Sequence, residues 1–539
     1  MSDPALQLLL GFGMLSMLGF FLWLALRQAK NTDSLFKYHL YGDDLKENRF
    51  TGSLISTNAS LSGAFVLILY YGFLFGPWAF FPVWVFWLIT QFTSRWTIKR
   101  TEEVMKSYDG WSNNRATIHE FLGLVFASPR ARFYAGILSL ISYLGLISAE
   151  IVLATHVLSY LFPNDARMPY FQIPLNAFLV IVAIMFSILI YNVLSGFRGT
   201  VQTDFAQWLI MSLMIIGVGI FVLAEWRSWT SGYATIFHTR SAGILAALFN
   251  PDRQGFAPYL SFLGSNFIFW GLWWPGAMDQ WQRCAAARTT RVSLNREWGT
   301  TGIVAILYFG ILTFVFLMAG VWLRVKMPNA ALSDDFLRVL VIDVHQWSSS
   351  SFGHVAGLFF AIVTFLGLVC AAMSTIDSYV MTASQTFFVD IVHSEDGATI
   401  VELTTRDREK KLLMQARAFT IFIPLLVTVI ALVFFLASDV YPIIYFAFSF
   451  MFALLPSLFV GLKGWAHPHA RVACERSLLG GGITSILYII LIIGLERTIR
   501  KNGDTFWWYQ AIYWWSAVIA IVGAFVLWAN WPKSRAFQG

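Results

Sequence analysis

Apolar residues run along this chain in blocks long enough to cross about 30 Å of hydrocarbon. Short polar segments, mostly basic, separate the blocks. They fall at 4–26, 52–75, 77–98, 133–161, 173–195, 200–226, 258–279, 299–323, 353–389, 418–437, 441–461, 478–495 and 508–531. This pattern predicts an all-α integral membrane protein of about thirteen transmembrane helices. The tightest pairs meet around Pro77 and at 438–441. Over 332–344 the pattern changes: Leu337, Leu340 and Val341 recur at three and four residues, which predicts a short amphipathic helix lying on the surface.

Composition agrees. Of the 539 residues 57% are hydrophobic and 12% charged, and the mean hydropathy is +0.64. A soluble domain carries about 25% charged residues, so soluble enzymes, nucleic-acid binders and disordered scaffolds are excluded. The formal charge of +7 is a topology signal rather than a nucleic-acid footprint. With the N-terminus outside, the segments facing the cytoplasm carry 27 of the 37 Lys and Arg residues. That predicts a multi-pass protein of the cell's inner (plasma) membrane with an exterior N-terminus and a cytoplasmic C-terminus. The first apolar run is too long for a cleavable signal, and Arg27 and Lys30 follow it. Cys284, Cys370 and Cys474 form no CxxC and suggest no disulfide framework. The triple glycine at 480–482 lacks the Lys-Ser/Thr of a phosphate loop. Without an ATP motor, uphill work would draw on an ion gradient. No HExxH occurs among the nine histidines, and no other enzyme signature stands out.

The informative residues are polar ones at membrane depth, where an Asp, Lys or Arg costs about 2.5–3.5 kcal/mol. In AAMSTIDSYVMTASQTFFVDIV (371–392), Ala371, Ser374, Thr375 and Ser378 share one helix face, with Asp377 just beyond it. Such a hydroxyl ladder suits a hard cation, which takes hydroxyl and carbonyl oxygens; the plainer reading is close helix–helix packing. STNASLSGAF (56–65) is rich in small and polar residues. A helix broken there would expose carbonyls, tolerable only around a cavity or an ion, whereas an unbroken one would be a packing face. In VLSGFRGTVQTDFAQW (193–208), Asp204 lies about one turn inside a span. It either caps that helix with Thr203 or receives a cation at the inner face.

Together these stretches resemble the sodium:solute symporter family. The likeness rests on Gly196, Gly199, Thr203, Asp204 and Gln207, on DQWQRCAAARTTR from Asp279 to Arg291, and on the Ala371–Ser378 helix, over about residues 35–465. The family is similar to the LeuT-type inverted repeat, in which five helices recur upside down in the next five. The resemblance thus implies an N-terminal helix and cytoplasmic loop over 1–51, a first repeat over 52–226, an exterior loop over 227–257, a second repeat over 258–461, and two further helices with a short cytoplasmic tail over 462–539. It places a Na+ site on the carbonyls of Ser56, Ala59 and Ala371 and the hydroxyls of Ser374 and Thr375. It places a second Na+, held by some members, on Asp204 and Ser378. Asp377 stands where two-sodium members have a serine, which leaves the stoichiometry open.

The resemblance implies a sodium-coupled symporter that imports a small organic solute (amino acid, carboxylate or sugar-like) by alternating access. A transporter-like sensor is the alternative, and the eight residues after Trp531 are short for its output domain. One Na+ falling through 100 mV yields about 2.3 kcal/mol, and a tenfold gradient adds roughly 1.4. Together they sustain about 500-fold accumulation of a neutral solute. The solute site would lie between the first, third, sixth and tenth core helices, near Asn58, Glu150, Asn266, Trp270, Trp273 and Trp274, with Tyr441 and Tyr445 as a gate. Glu150, mid-span, either faces a solute ammonium or is a buried structural group paired with His156 or a hydroxyl. The tryptophans serve as pocket walls or as ordinary packing.

Overall fold

The structure, a computed structural model, describes residues 4–40, 45–108, 117–158, 175–226, 264, 271–289, 294–327, 336–394, 406–435, 441–501 and 505–532. The helices are α1 (Pro4–Ala29), α2 (Leu35–Leu40), α3 (Glu47–Asn58), α4 (Leu61–Phe75), α5 (Phe80–Met105), α6 (Ile118–Val125), α7 (Pro129–Leu158) and α8 (Leu175–Ala224). They continue as α9 (Met278–Thr289), α10 (Leu294–Lys326), α11 (Phe336–Phe352), α12 (His354–Gln385, prolonged by a π turn over Thr386–Val392), α13 (Arg406–Phe435), α14 (Tyr441–Leu462), α15 (Arg471–Lys501) and α16 (Thr505–Ala529). Among the described residues, six helices are long and apolar enough to cross a membrane, and the bent pair α3–α4 makes up to seven. The amphipathic helix expected over 332–344 is α11, which begins at Phe336 and runs on to Phe352.

α8 holds two of the expected spans. Gly196 separates them with φ +57° and ψ −153°, and a Cβ there would stand 2.5 Å from the Tyr38 carbonyl oxygen. Only glycine takes that backbone without strain and leaves α2 room to dock.

Burial sorts the helices. The most apolar window of α7 is 78% buried but that of α1 only 28%, so α7 is central and α1 peripheral. α1 turns Leu8, Phe12 and Leu15 outward, as a lipid-facing helix does. α12 packs along α7, α8, α3 and α11, and α14 packs on α7. α15 and α16 pair with one another and lie against α14. Small residues permit the closest crossings: a Cβ on Gly145 of α7 would stand 2.8 Å from the Ala447 Cβ of α14. Gly145→Ala should therefore cost about 1–3 kcal/mol by overpacking, read as a lower unfolding temperature of the purified protein.

Two expectations are corrected. The first core helix begins at Glu47, inside the segment read as cytoplasmic loop. The segment 280–298, one of the polar stretches between apolar blocks, includes most of α9, where Gln280, Gln282 and Arg283 are buried. Hydropathy misses both because these short half-helices carry polar side chains that face protein rather than lipid. All three cysteines are buried.

Candidate functional site

The polar centre is built on a break between two half-helices and on a short turn that leads into α9. Ser56, Thr57, Asn58 and Ser60 have middling to poor helix propensity. Ser60 leaves the helical backbone (φ −66°, ψ 150°) and caps the start of α4, its Oγ accepting from the Gly63 N–H at 2.9 Å. The chain turns by 64° between α3 and α4. The second interruption comes after Trp273: a single 3-10 turn, Trp274–Gly276, leads to extended Ala277 (φ −86°, ψ 104°) before α9 starts. Pro275-Gly276, near the end of the 258–279 block, is the sequence signal for it, since proline ends helical hydrogen bonding. A Cβ on Gly276 would stand 2.9 Å from the Met451 carbonyl oxygen of α14, so this turn lies tight against that helix. The interruptions face one another: Gln280 Nε2 donates to Asn58 Oδ1 at 3.1 Å.

At the end of α3 the hydroxyl ladder of α12 meets the last carbonyls of that helix, of which the Ser56 carbonyl also accepts from the Ala59 N–H at 3.2 Å. Ser374 Oγ donates to the carbonyls of Ser56 (3.0 Å) and Ala371 (3.1 Å). Thr375 Oγ1 donates to those of Thr57 (3.3 Å) and Ala371 (3.2 Å). All these residues are buried, as is Ala59 at the break. Each hydroxyl has one proton for two carbonyls, so oxygen lone pairs outnumber the side-chain protons that serve them. A helix C-terminus adds negative potential. A hard cation with ligands at roughly 2.3–2.6 Å spaces neighbouring oxygens about 3.3–3.7 Å apart, a few tenths of an ångström wider than here, so the donor set fits one. The expected residues Ser56, Ala371, Ser374 and Thr375 are thus brought together, with the Thr57 carbonyl as an unanticipated member.

One turn along α12 lies a charged cluster. Asp204 Oδ2 accepts from Ser53 Oγ at 2.5 Å and lies 3.5 Å from both Thr57 Oγ1 and Ser378 Oγ. Arg283 of α9 enters among these atoms, 1% exposed. Its Nη2 donates to Asp204 Oδ2 (3.1 Å), Ser378 Oγ (2.6 Å) and Thr57 Oγ1, and its Nε to Ser53 Oγ (3.2 Å). Its Nη1 donates to the Asp279 carbonyl at 3.1 Å. Asp204 and Ser378 therefore meet around the guanidinium of Arg283, a residue that belongs to the DQWQRCAAARTTR stretch but was not expected at this site. Asp377 accepts from Tyr191 OH at 2.8 Å and Thr203 Oγ1 at 3.4 Å on Oδ2, while its Oδ1 lies 3.4 Å from Ser378 Oγ.

At the opposite lip of the first break, Glu150 of α7 caps α4. Its Oε1 and Oε2 lie 3.2 and 3.3 Å from the Ser62 N–H, and Ser62 Oγ donates to Oε1. A carboxylate is favoured at a helix N-terminus, so of the partners foreseen for Glu150 a hydroxyl takes the position. Asn58 is bound to Gln280 and to the Leu54 carbonyl. Trp273 is buried edge-on to Phe448 (5.9 Å), and Trp274 is buried. Asn266 and Trp270 lie outside the described residues, as do the side chains of Tyr441 and Tyr445 at the start of α14. The His39 ring of α2 is pushed down to about 3 by burial and stays neutral. Among the described residues no group of three His, Cys, Asp or Glu side chains could hold a metal ion.

A third buried cluster closes the far end of α12. Asp390 accepts from Thr117 Oγ1 (2.8 Å) and Arg132 Nε (3.0 Å), and its Oδ2 pairs with His119 Nδ1 (2.8 Å). Arg132 also donates to the Val389 carbonyl at 3.1 Å, and His119 Nε2 pairs with Ser139 Oγ at 2.7 Å. α6, α7 and the π turn of α12 are thereby locked together.

No family model matches the chain, and no curated protein matches its sequence. Among solved structures it is similar to a Na+-coupled sialic acid symporter in a substrate-bound, outward-open state. Identity is 16%, coverage 97% of this chain and 98% of that one, and the TM-score 0.56. It is also similar to MhsT in complex with L-phenylalanine, at 14% identity, 91% and 98% coverage and a TM-score of 0.47. The all-α architecture is of the LeuT type.

Proposed function

We propose that this chain is a sodium-coupled symporter, moving a small organic solute by alternating access. The observation that carries the reading is the meeting of Ser374 and Thr375 with the carbonyls of Ser56 and Thr57 at the end of α3. An interrupted helix exposes backbone at membrane depth, which is stable only around a cavity or a bound ion. The Na+ would be held by the carbonyls of Ser56, Ala59 and Ala371 and by the two hydroxyls, with the Thr57 carbonyl beside them. The likeness to a Na+-coupled sialic acid symporter supports the same reading.

The solute lies between the two interruptions, α7 and α14. Glu150 already supplies an anion to the positive end of α4, the place where a solute carboxylate would otherwise be favoured. The remaining lone pairs of Glu150 suit an ammonium or a hydroxyl. The solute is therefore amine-bearing or neutral at that end, and Asn58, Trp273 and Trp274 form polar and aromatic walls.

A thermal-shift screen of metabolites on the purified protein, with and without Na+, tests this. Hits are expected among amines and polyols and only with Na+; stabilisation independent of Na+ sinks the reading. Glu150→Gln should weaken an amine hit about tenfold or more, the scale of one charge-assisted hydrogen bond. An unaltered affinity removes Glu150 from the pocket.

A further inference from the structure

We propose that Arg283 is a tethered cation: its guanidinium fills, from within the chain, the cation position defined by Asp204, Ser53, Thr57 and Ser378, and so fixes the ion load at one Na+ per chain. The proposal rests on the sodium-coupled reading above and deepens it.

The four oxygens converge as ligands of a cation do. Asp204 supplies charge, three hydroxyls supply neutral oxygens, and Asp204, Ser53, Thr57 and Ser378 are all buried. Arg283 meets every one of them, with Nη2 on Asp204, Thr57 and Ser378 and Nε on Ser53. Its third nitrogen returns to α9 through the Asp279 carbonyl at 3.1 Å, and the Phe197 ring lies 5.6 Å from the guanidinium carbon. A guanidinium so placed, permanently charged, excludes a second cation from the same oxygens by repulsion. The neutral oxygens of Ser374, Thr375 and the α3 carbonyls lie beyond it and remain for Na+.

Thr57 belongs to both groups. Its hydroxyl takes the Arg283 bond and its carbonyl the Thr375 bond. Any movement of α9 that withdraws Arg283 must disturb the last turn of α3, where Na+ would sit. The tethered charge thus also couples the second interruption to the ion site. Asp204 Oδ1 is the one carboxylate oxygen of the cluster without a hydrogen-bond partner, and a free cation on Asp204 would have to use it.

Equilibrium binding of radioactive 22Na+ to the purified full-length chain, with no solute present, decides the matter by counting ions. Wild type is expected to bind one Na+ and Asp204→Asn still one, because Asp204 serves the arginine. Arg283→Lys, which keeps the charge, should also bind one. Arg283→Gln should bind two, the second lost again when Asp204→Asn is added. Two ions on wild type, falling to one in Asp204→Asn, would overturn the tethered cation while leaving sodium coupling intact. A folded Arg283→Gln that still binds one ion overturns it too, and if that variant does not fold, wild type and Asp204→Asn decide alone. No binding by wild type defeats the sodium reading itself and the tethered cation with it.

Discussion

Replacing Ser374 by Ala and Thr375 by Val together should raise the Na+ concentration for half-maximal solute uptake about 30- to 150-fold. Each hydroxyl removed deletes one oxygen from a set of five and leaves the others in place. A hydrogen-bonding or ligating hydroxyl in a buried setting contributes about 1–1.5 kcal/mol net. Two together give about 2–3 kcal/mol, at tenfold per 1.4 kcal/mol. If the ladder serves only to pack α12 against α3, the double variant loses stability equally with and without Na+, and its Na+ dependence stays that of wild type. If the hydroxyls bind Na+, wild type alone gains thermal stability as Na+ is added, because a ligand bound to the native state stabilises it by mass action. Na+ titrations of uptake in proteoliposomes, paired with Na+-dependent unfolding of the same samples, separate the two.

Asp390→Ala is expected to be the most damaging single change in the polar interior, costing about 3–5 kcal/mol. Removing one partner of a buried ion pair leaves the other charge uncompensated. Here the bereaved group is Arg132, whose side chain is 8% exposed and whose Nε has Asp390 as its carboxylate. Thr117 and His119 lose their partner at the same stroke. Asp390→Asn keeps the shape and one acceptor and should cost less, about 1–3 kcal/mol. The change acts on the seam joining α6 and α7 to the end of α12, away from Ser374. The residual folded protein should therefore keep wild-type Na+ affinity while its unfolding temperature drops by several degrees. An unchanged unfolding temperature would show that the cluster holds nothing together.

Much of the architecture was legible because lipid imposes a simple rule: long apolar blocks must be helices. α1, α7, α10, α12, α13 and α14 lie within a few residues to about a dozen of where hydropathy put them. The break near Ser60 was legible for a different reason, since serine, threonine and asparagine crowd a span that leucine would otherwise fill. The hydroxyl face of α12 came from helical spacing alone. α9 was not legible. Its Asp279, Gln280, Gln282 and Arg283 have the composition of a cytoplasmic loop, and only their contacts across 79 and more residues of chain show them to be interior. The same holds for Asp390, whose partners Thr117, His119 and Arg132 lie 258–273 residues away. Glu150 was singled out by its cost at membrane depth, and its hydrogen-bond partner, Ser62, lies 88 residues away and could not be read from spacing.

The most direct test is a structure of the protein determined at high resolution in Na+ and again in choline. With Na+, a cation is expected within about 2.3–2.6 Å of the Ser56 and Ala371 carbonyls and the Ser374 and Thr375 hydroxyls, at the end of an interrupted α3, and absent in choline. A straight helix through Ser56–Gly63, or Na+ seated anywhere else while these oxygens bind only one another, would contradict the account.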